Sequence, residues 1–579
     1  MFLLDPFGRR RLLSRLAVLP TLGLVACSLI YDLSGVQCTG TADCQALGAG
    51  TVCENSVCVT PEPADGTGGG GGEGGGGGNA ECTTNSDCIE ATYGSPFICR
   101  EGSCIGLKSF PHEEQCPWVL GLGEDLANLR KPDPIIIGAY APIGLNPAAD
   151  PVVQNYEFAI NQMNNGSNGG ISGGSGGSKR PFIAVVCKAI DTDSEADPDA
   201  SMDHLVNTLE VPAIISALNA PELEETFSTI GHPKNVFFMS PLDADTNLTF
   251  LDDDGLLWHM LSEGRDLAPG YLALVPEVEE WLRLERGLTP TDPIKLALVD
   301  ANDQFLIDIS NEVAAGLEYN DGLTAVQNEA NGHFTRIRTE SAGFGDPTVV
   351  ASALEQLLYF APDVIVSLGS HESLQLIRDL EINWAPTLGP KPFYLVSPAV
   401  FGAPDLTSTA GVPPEAHSRM LGVNFAAAED STLYDAYLSE LKSIYGNKAN
   451  LEGKENFYDA AFFVMYAIAA VGNAPRLTGK EVAGGMLRLI NPDSGAEPIR
   501  MGTEDIPKGL LTLSMGFDIA LMGTLGPPTF NQATGARTGI PSIYCVDPQK
   551  NRIEDALGYD PDTGRLTGTQ ACVPDFPPP

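Results

Sequence analysis

Basic side chains are scarce: 33 Lys and Arg stand against 75 Asp and Glu in 579 residues, a net charge of −42. Such a surface repels phosphate backbones and anionic headgroups, which excludes nucleic acid and direct lipid binding. Histidine is thin as well. The seven His are scattered with no H-x-x-x-H pair, so metal hydrolysis has no ligand set and no metal or other cofactor is expected. Long apolar runs are missing too: Leu16 to Ala26 and Tyr458 to Ala470 are both too short to span a bilayer. No coherent set of acid, base and nucleophile appears. Gly173-Gly174-Ser175-Gly176-Gly177 matches G-x-S-x-G only in spelling, because it lies in low-complexity sequence rather than at a strand-to-helix elbow. A hydrolase using Ser175 or another serine is therefore a remote reading, and the chain reads as a non-enzyme.

What is present starts with an export signal at residues 1–26. Arg9, Arg10, Arg11 and Arg15 form a basic region, the apolar stretch follows, and Leu24-Val25-Ala26-Cys27 resembles a bacterial lipobox. Cleavage there leaves Cys27 as a lipidated N-terminus, and loss of four Arg and one Asp moves the net charge from −42 to −45. Ser28 rather than Asp follows the anchor, which by analogy with enteric sorting points to the outer membrane; the expected location is the cell envelope of a Gram-negative-type bacterium.

Twelve further cysteines follow, eight of them in an internal repeat. Cys38, Cys44, Cys53 and Cys58 (within 27–60) are spaced like Cys82, Cys88, Cys99 and Cys104 (within 81–131), and Asp43 and Asp87 precede the second Cys of each set. Zinc would need closer ligand pairs. An exported chain meets oxidising conditions, so two small disulfide knobs are expected, each bridge worth roughly 2–4 kcal/mol. Four cysteines allow three pairings, and connectivity stays open. Of the other four, locality favours Cys545 with Cys572. That leaves Cys116 with Cys187, provided the leader before the first strand lies beside the second strand. Between the knobs, residues 61–80 are a Gly-rich tether with almost nothing to bury, spanning about 25 Å as a coil.

The length suggests two or three domains. From about Asp133 the chain alternates buried strands (135–141, 182–190, 213–218, 236–239) with helical segments. The apolar run Leu296 to Val299 suits a strand buried on both faces, and Phe305, Ile309 and Val313 at four-residue spacing make the next segment a helix. The pattern recurs with strands near 363–368 and 393–397 and helices near 347–360 and 371–380. Alternation with short connections implies doubly wound parallel sheets in two lobes, with a cleft between them.

These residues resemble the type 1 periplasmic binding proteins, in particular the Leu/Ile/Val-binding branch, over roughly 132–547. Ile135 to Gly144, Cys187 to Asp199, Asn235 to Pro241, Lys295 to Phe305 and Phe457-Tyr458-Asp459-Ala460 carry the likeness in order. The resemblance implies an α/β, two-lobed type 1 fold preceded by small disulfide-rich modules, a small-molecule ligand, an ABC permease or sensor as partner, and a monomer. It implies three crossings between lobes, placed near 289–294, 424–429 and 514–526. Lobe one is then about 132–290 and 430–513, lobe two about 291–429 and 514–550, and 551–579 a C-terminal extension. Gly144-Leu145 and Leu306 depart from the family pattern, and Asn164 to Ser178 is a long insertion, so the α-amino-acid contact set is not intact. Asp191 to Asp199 alternates like a calcium loop, but Ala196 and Met202 occupy the positions that need Gly and Glu.

In doubly wound sheets ligands bind beyond the carboxyl ends of strands. That places Asn219, Ser240, Asp243, Ser370, His371 and Glu372 as candidate ligand contacts, although Asn, Ser and Asp also serve as helix caps. The leading reading is a lipid-anchored extracytoplasmic solute-binding protein that closes on a small polar ligand of the amino-acid or amide class for an ABC importer. A ligand sensor or binding-deficient surface lipoprotein on the same fold is the alternative.

The anchor is testable. Cys27→Ser should release the protein from the membrane fraction or block precursor processing, as read by fractionation and immunoblotting; unchanged partition and processing would remove the lipid from this picture.

Overall fold

The computed structural model describes residues 52–54, 57–59, 82–108, 115–142, 150–174, 177–189, 197–339, 347–401, 406, 411–426, 431–446, 454–472, 477–490, 495–547, 552–570, 572–574 and 576. The signal and Cys27, Cys38 and Cys44, the tether, Ser175 and most of the acidic alternation after Ile190 lie outside them. The chain divides into two compact units, Met1–Gly78 and Asn79–Pro579. In the first, strands Val52–Glu54 and Val57–Val59 pair antiparallel with Cys53 opposite Cys58.

The second unit opens on the second cysteine repeat. Thr84 caps the helix Asn85–Ala91 through a capping box with Asp87, and the hairpin Phe97–Arg100 with Ser103–Gly106 follows. The bonds join Cys82 to Cys99 and Cys88 to Cys104, so each strand of the hairpin is tied away from its partner. This repeat is no isolated knob: Ile89, Ile98 and Leu107 are buried in the same apolar cluster as the first sheet.

That sheet has six strands in the order Leu257–His259, Phe237–Ser240, Ala213–Ile215, Ile135–Ala141, Phe182–Lys188, Trp118–Leu120, all parallel except the last. The edge strand Trp118–Leu120 brings the leader against the second strand, and Cys116 bonds Cys187 with Cα atoms 3.9 Å apart. The second sheet runs Phe334–Thr339, Leu296–Ala301, Val364–Leu368, Phe393–Val396, Met420–Phe425 in parallel, then Pro541–Asp547, Arg552–Asp560 and Arg565–Thr567 antiparallel. Numbered by chain position, the parallel parts read 5-4-3-1-2 and 2-1-3-4-5, the same doubly wound order twice.

Strand Leu296–Ala301 shows why the pattern was readable. Every residue of it is buried, with Leu296 and Leu298 in one apolar cluster and Ala297 and Val299 in the cluster on the other face. Strand side chains alternate between faces, so a strand covered on both sides must be apolar throughout. Asp300 interrupts it at the carboxyl end. It is fully buried, and Arg336 and Arg338 of the neighbouring strand bind it at 3.1 and 2.7 Å.

Several expected boundaries move. Helix Ala268–Arg286, placed in lobe one by the sequence, buries Tyr271, Leu274, Val275 and Leu282 in the second core, and Tyr271 donates to Val396 O at 2.8 Å. The first crossing therefore lies between Met260 and Leu267, not at 289–294. Strand Ile519–Met522 still packs on the first core, as do Leu525 and Phe530, so the third crossing lies between Phe530 and Pro541 rather than at 514–526. The second lies between Phe425 and Tyr434. The segment 551–579 is no loose extension, because two of its strands complete the second sheet and Cys572 bonds Cys545.

Cys116–Cys187 closes a separation of 71 residues. By the loop-entropy relation the bond is worth about 4 kcal/mol. The double substitution Cys116→Ala with Cys187→Ala should lower the denaturant midpoint accordingly, and an unchanged midpoint would show the bond to be dispensable.

Candidate functional site

Five of the six candidate residues have described side chains, and they form two groups at the carboxyl ends of the two sheets. Asn219 follows the third strand of the first sheet, beside the switch point between strands one and three. It caps helix Ala220–Thr226, its Oδ1 accepting from Glu222 N–H at 3.1 Å. Ser240 ends the fourth strand and is fully buried; its Oγ accepts from Asp243 N–H and donates to Asp243 O, both at 3.2 Å. Asp243 completes this group by accepting from Ala220 N–H. The first-lobe loops are thus tied to one another.

On the second lobe, Ser370 and Glu372 follow the third strand, at the corresponding switch point. Glu372 is buried and accepts from Ser370 N–H at 2.7 Å and from Ser370 Oγ at 3.1 Å. Ser397 Oγ donates to Gly369 O, which fixes the start of the same loop. The His371 side chain lies outside the described residues. Among the described residues no hydrogen bond joins Asn219, Ser240 or Asp243 directly to Ser370 or Glu372. Leu306, one of the departures from the family pattern, is buried in the second core, with its N–H capped by Asp303 at 3.2 Å.

The lobes meet through residues that the sequence does not single out. Thr246 N–H and Oγ1 both donate to Asp308 of the second-lobe helix Gln304–Gly316, each at 3.1 Å. Gln304 Nε2 reaches Thr246 Oγ1 at 3.3 Å and Asp308 Oδ1 at 2.7 Å. The pair Thr246 and Asp308 is 62 residues apart, with no local pattern to announce it. The only advance signal is Asp245, a residue type suited to the helix cap it becomes.

Negative charge gathers where the lobes meet. Burial, with Asp245 and the second-lobe Asp303 adding to it, pushes the Asp243 carboxyl up to about 7. Burial, then Asp308, also raises Asp245. Beside them, His259 is fully buried and burial lowers its ring to about 4, so the imidazole is neutral at physiological pH. Its Nδ1 bonds Asp243 O at 2.6 Å and therefore carries the proton, while among the described residues Nε2 has no hydrogen-bond partner. The arrangement can hold a polar ligand by donors and acceptors from two lobes.

Asp243 predicts a pH dependence. Its folded pKa of about 7 lies above the reference 3.8, so its stabilising contribution is complete below about 3.8 and is lost as pH rises through 7. Asp243→Asn keeps the acceptor for Ala220 and cannot ionise. Its thermal midpoint should match the parent at pH 4 and exceed it at pH 8; a difference independent of pH would place the raised carboxyl elsewhere.

No family model matches the chain, and no curated protein matches it. Solved structures do. A Rhodopseudomonas palustris solute-binding protein of an ABC transporter, in complex with 4-hydroxybenzoate, is 13% identical over 76% of this chain and 98% of its own, with a TM-score of 0.49. A leucine-binding protein from Thermotoga maritima is 14% identical over 74% and 99%, with a TM-score of 0.46. An ABC transporter substrate-binding protein from Desulfitobacterium hafniense, in complex with Leu, is 14% identical over 73% and 100%, also at 0.46. Two sheets of the same doubly wound order, three crossings between their cores, and loops of both lobes at the carboxyl ends give this chain the two-lobed fold of the type 1 periplasmic binding proteins.

Proposed function

We propose that the chain is a lipid-anchored, extracytoplasmic solute-binding protein that closes its lobes on a small polar ligand of the amino-acid or amide class and presents it to an ABC importer. The observation that carries this reading is the doubled switch point. Each sheet reverses its strand order beside strand one, and Asn219 on one lobe and Ser370 with Glu372 on the other stand at those reversals. Such crevices are where doubly wound sheets bind ligands, with helix N-termini supplying free N–H groups. Three thin crossings let the lobes rotate as bodies. A ligand touching both lobes then stabilises the closed form by its differential contacts, and no bond is made or broken.

Ser240 and Asp243 belong to the first-lobe loops and His371 begins the second-lobe helix, and in this reading they would adapt the site to the ligand. Asp243 would act as a carboxylic acid below pH 7 and as an anion above it. Cys27 would hold the protein at the envelope, where the disulfides are stable.

A mass-spectrometric inventory of small molecules that co-purify with the protein, followed by titration of free amino acids and amino-acid amides, identifies the ligand. Removing two neutral hydrogen bonds costs about 1–3 kcal/mol, so Ser240→Ala with Ser370→Ala should weaken binding by about 10- to 100-fold while the circular-dichroism spectrum stays unchanged. Affinity indifferent to both changes would move the site out of the crevice.

A further inference from the structure

The three crossings converge on a cavity of about 480 Å³. Met260 and Ser262 line it from the first crossing, Phe425 from the second, Arg537 and Ile540 from the third, and Tyr559 of the C-terminal strand closes one side. None of the six crevice candidates lines it. Its size falls within the range of small-molecule sites.

Among the described residues Arg537 is the single charged one on this wall, and it is only 6% exposed. Its Nη2 donates to Pro527 O at 2.8 Å, and the guanidinium lies 5.9 Å from the centre of the Phe530 ring. Among the described residues Nη1 has no hydrogen-bond partner. Asp459 attracts the guanidinium electrostatically, but the oxygens of Asp459 are already engaged by Thr524 and Leu525. A buried cation with an unmatched donor is costly, and an anion that supplies the missing acceptor relieves that cost.

The rest of the wall narrows the class of anion. It is apolar with scattered hydroxyls, so the body of the ligand must be apolar. One guanidinium matches one carboxylate through paired N–H···O bonds. A phosphate dianion would set a second negative charge within reach of Asp459. A zwitterionic amino acid would bring an ammonium next to Arg537, with no carboxylate on the wall to receive it. We propose that the hinge cavity is a second binding site, separate from the interlobe crevice, for a small monocarboxylate with an apolar body.

Calorimetric titration of the full chain with octanoate, and with octanamide as its neutral counterpart, tests this. Octanoate should bind saturably and octanamide at least about tenfold more weakly. Thr538 and Ala426 line the cavity at exposed positions. Thr538→Trp and, independently, Ala426→Trp should each obstruct octanoate while thermal melts show a folded protein, because both positions are exposed. Absence of saturable octanoate binding, equal binding of the two compounds, or full octanoate affinity in both folded Trp variants would overturn the proposal. Ser240→Ala with Ser370→Ala should leave octanoate binding in place, so this site and the crevice fail or stand separately.

Discussion

One enclosed carboxylate determines how the chain leaves its first core. Asp459, on helix Glu455–Val471, accepts from Thr524 N–H at 3.0 Å, Thr524 Oγ1 at 2.9 Å and Leu525 N–H at 3.1 Å. Burial raises its pKa, while Arg537 and these three donors oppose the rise. Without the carboxylate, the buried Thr524 N–H would lose its acceptor, at about 1–3 kcal/mol, and the half-buried Leu525 N–H would lose one too. The neighbouring residue is Gly523 because a Cβ there would run into Asp459 itself. The turn Gly523 to Gly526 is thereby clamped to the most apolar helix of lobe one, and whatever freedom the third crossing has must lie beyond it.

The same problem, an exposed sheet edge, is met in both lobes in the same way. A parallel sheet ends in a row of unpaired N–H and C=O groups. In lobe one the leader strand Trp118–Leu120 covers that edge antiparallel, and Cys116–Cys187 fastens it. In lobe two three antiparallel strands extend the sheet, and Cys545–Cys572 fastens the last of the chain to the first of them. The two bridges differ in sequence span but do one job.

Legibility followed burial. Strands Ile135–Ala141, Phe182–Lys188 and Leu296–Ala301 lie between two covered faces, so their unbroken apolar runs gave them away. Strand Arg552–Asp560 reads RIEDALGYD and carries no such run, so it passed for an extension. Helix Ala268–Arg286 is amphipathic, but an apolar face does not say which of two cores it will meet. The bonds of the second cysteine repeat were hidden for a geometric reason: Cys99 and Cys104 stand opposite each other in a hairpin, yet each bonds elsewhere. For the crevice, sequence reasoning named loops that stand at the carboxyl ends of both sheets. It could not separate capping from recognition, because Asn219 and Ser240 are residue types suited to both, and contacts such as Thr246 to Asp308 exist only once the lobes are folded.

The leader's staple also sets how the molecule would carry force. Tension on the chain N-terminal to Cys116 does not reach the short edge strand first. It leaves the backbone through sulfur at Cys116 and enters the sheet at Cys187, inside strand Phe182–Lys188. That strand is held along seven residue pairs by Ile135–Ala141, so a pull along its length strains many hydrogen bonds together in shear instead of unzipping them singly from an end. Reduction of the bridge would redirect the load to three edge residues and turn a shear-loaded lobe into one that peels.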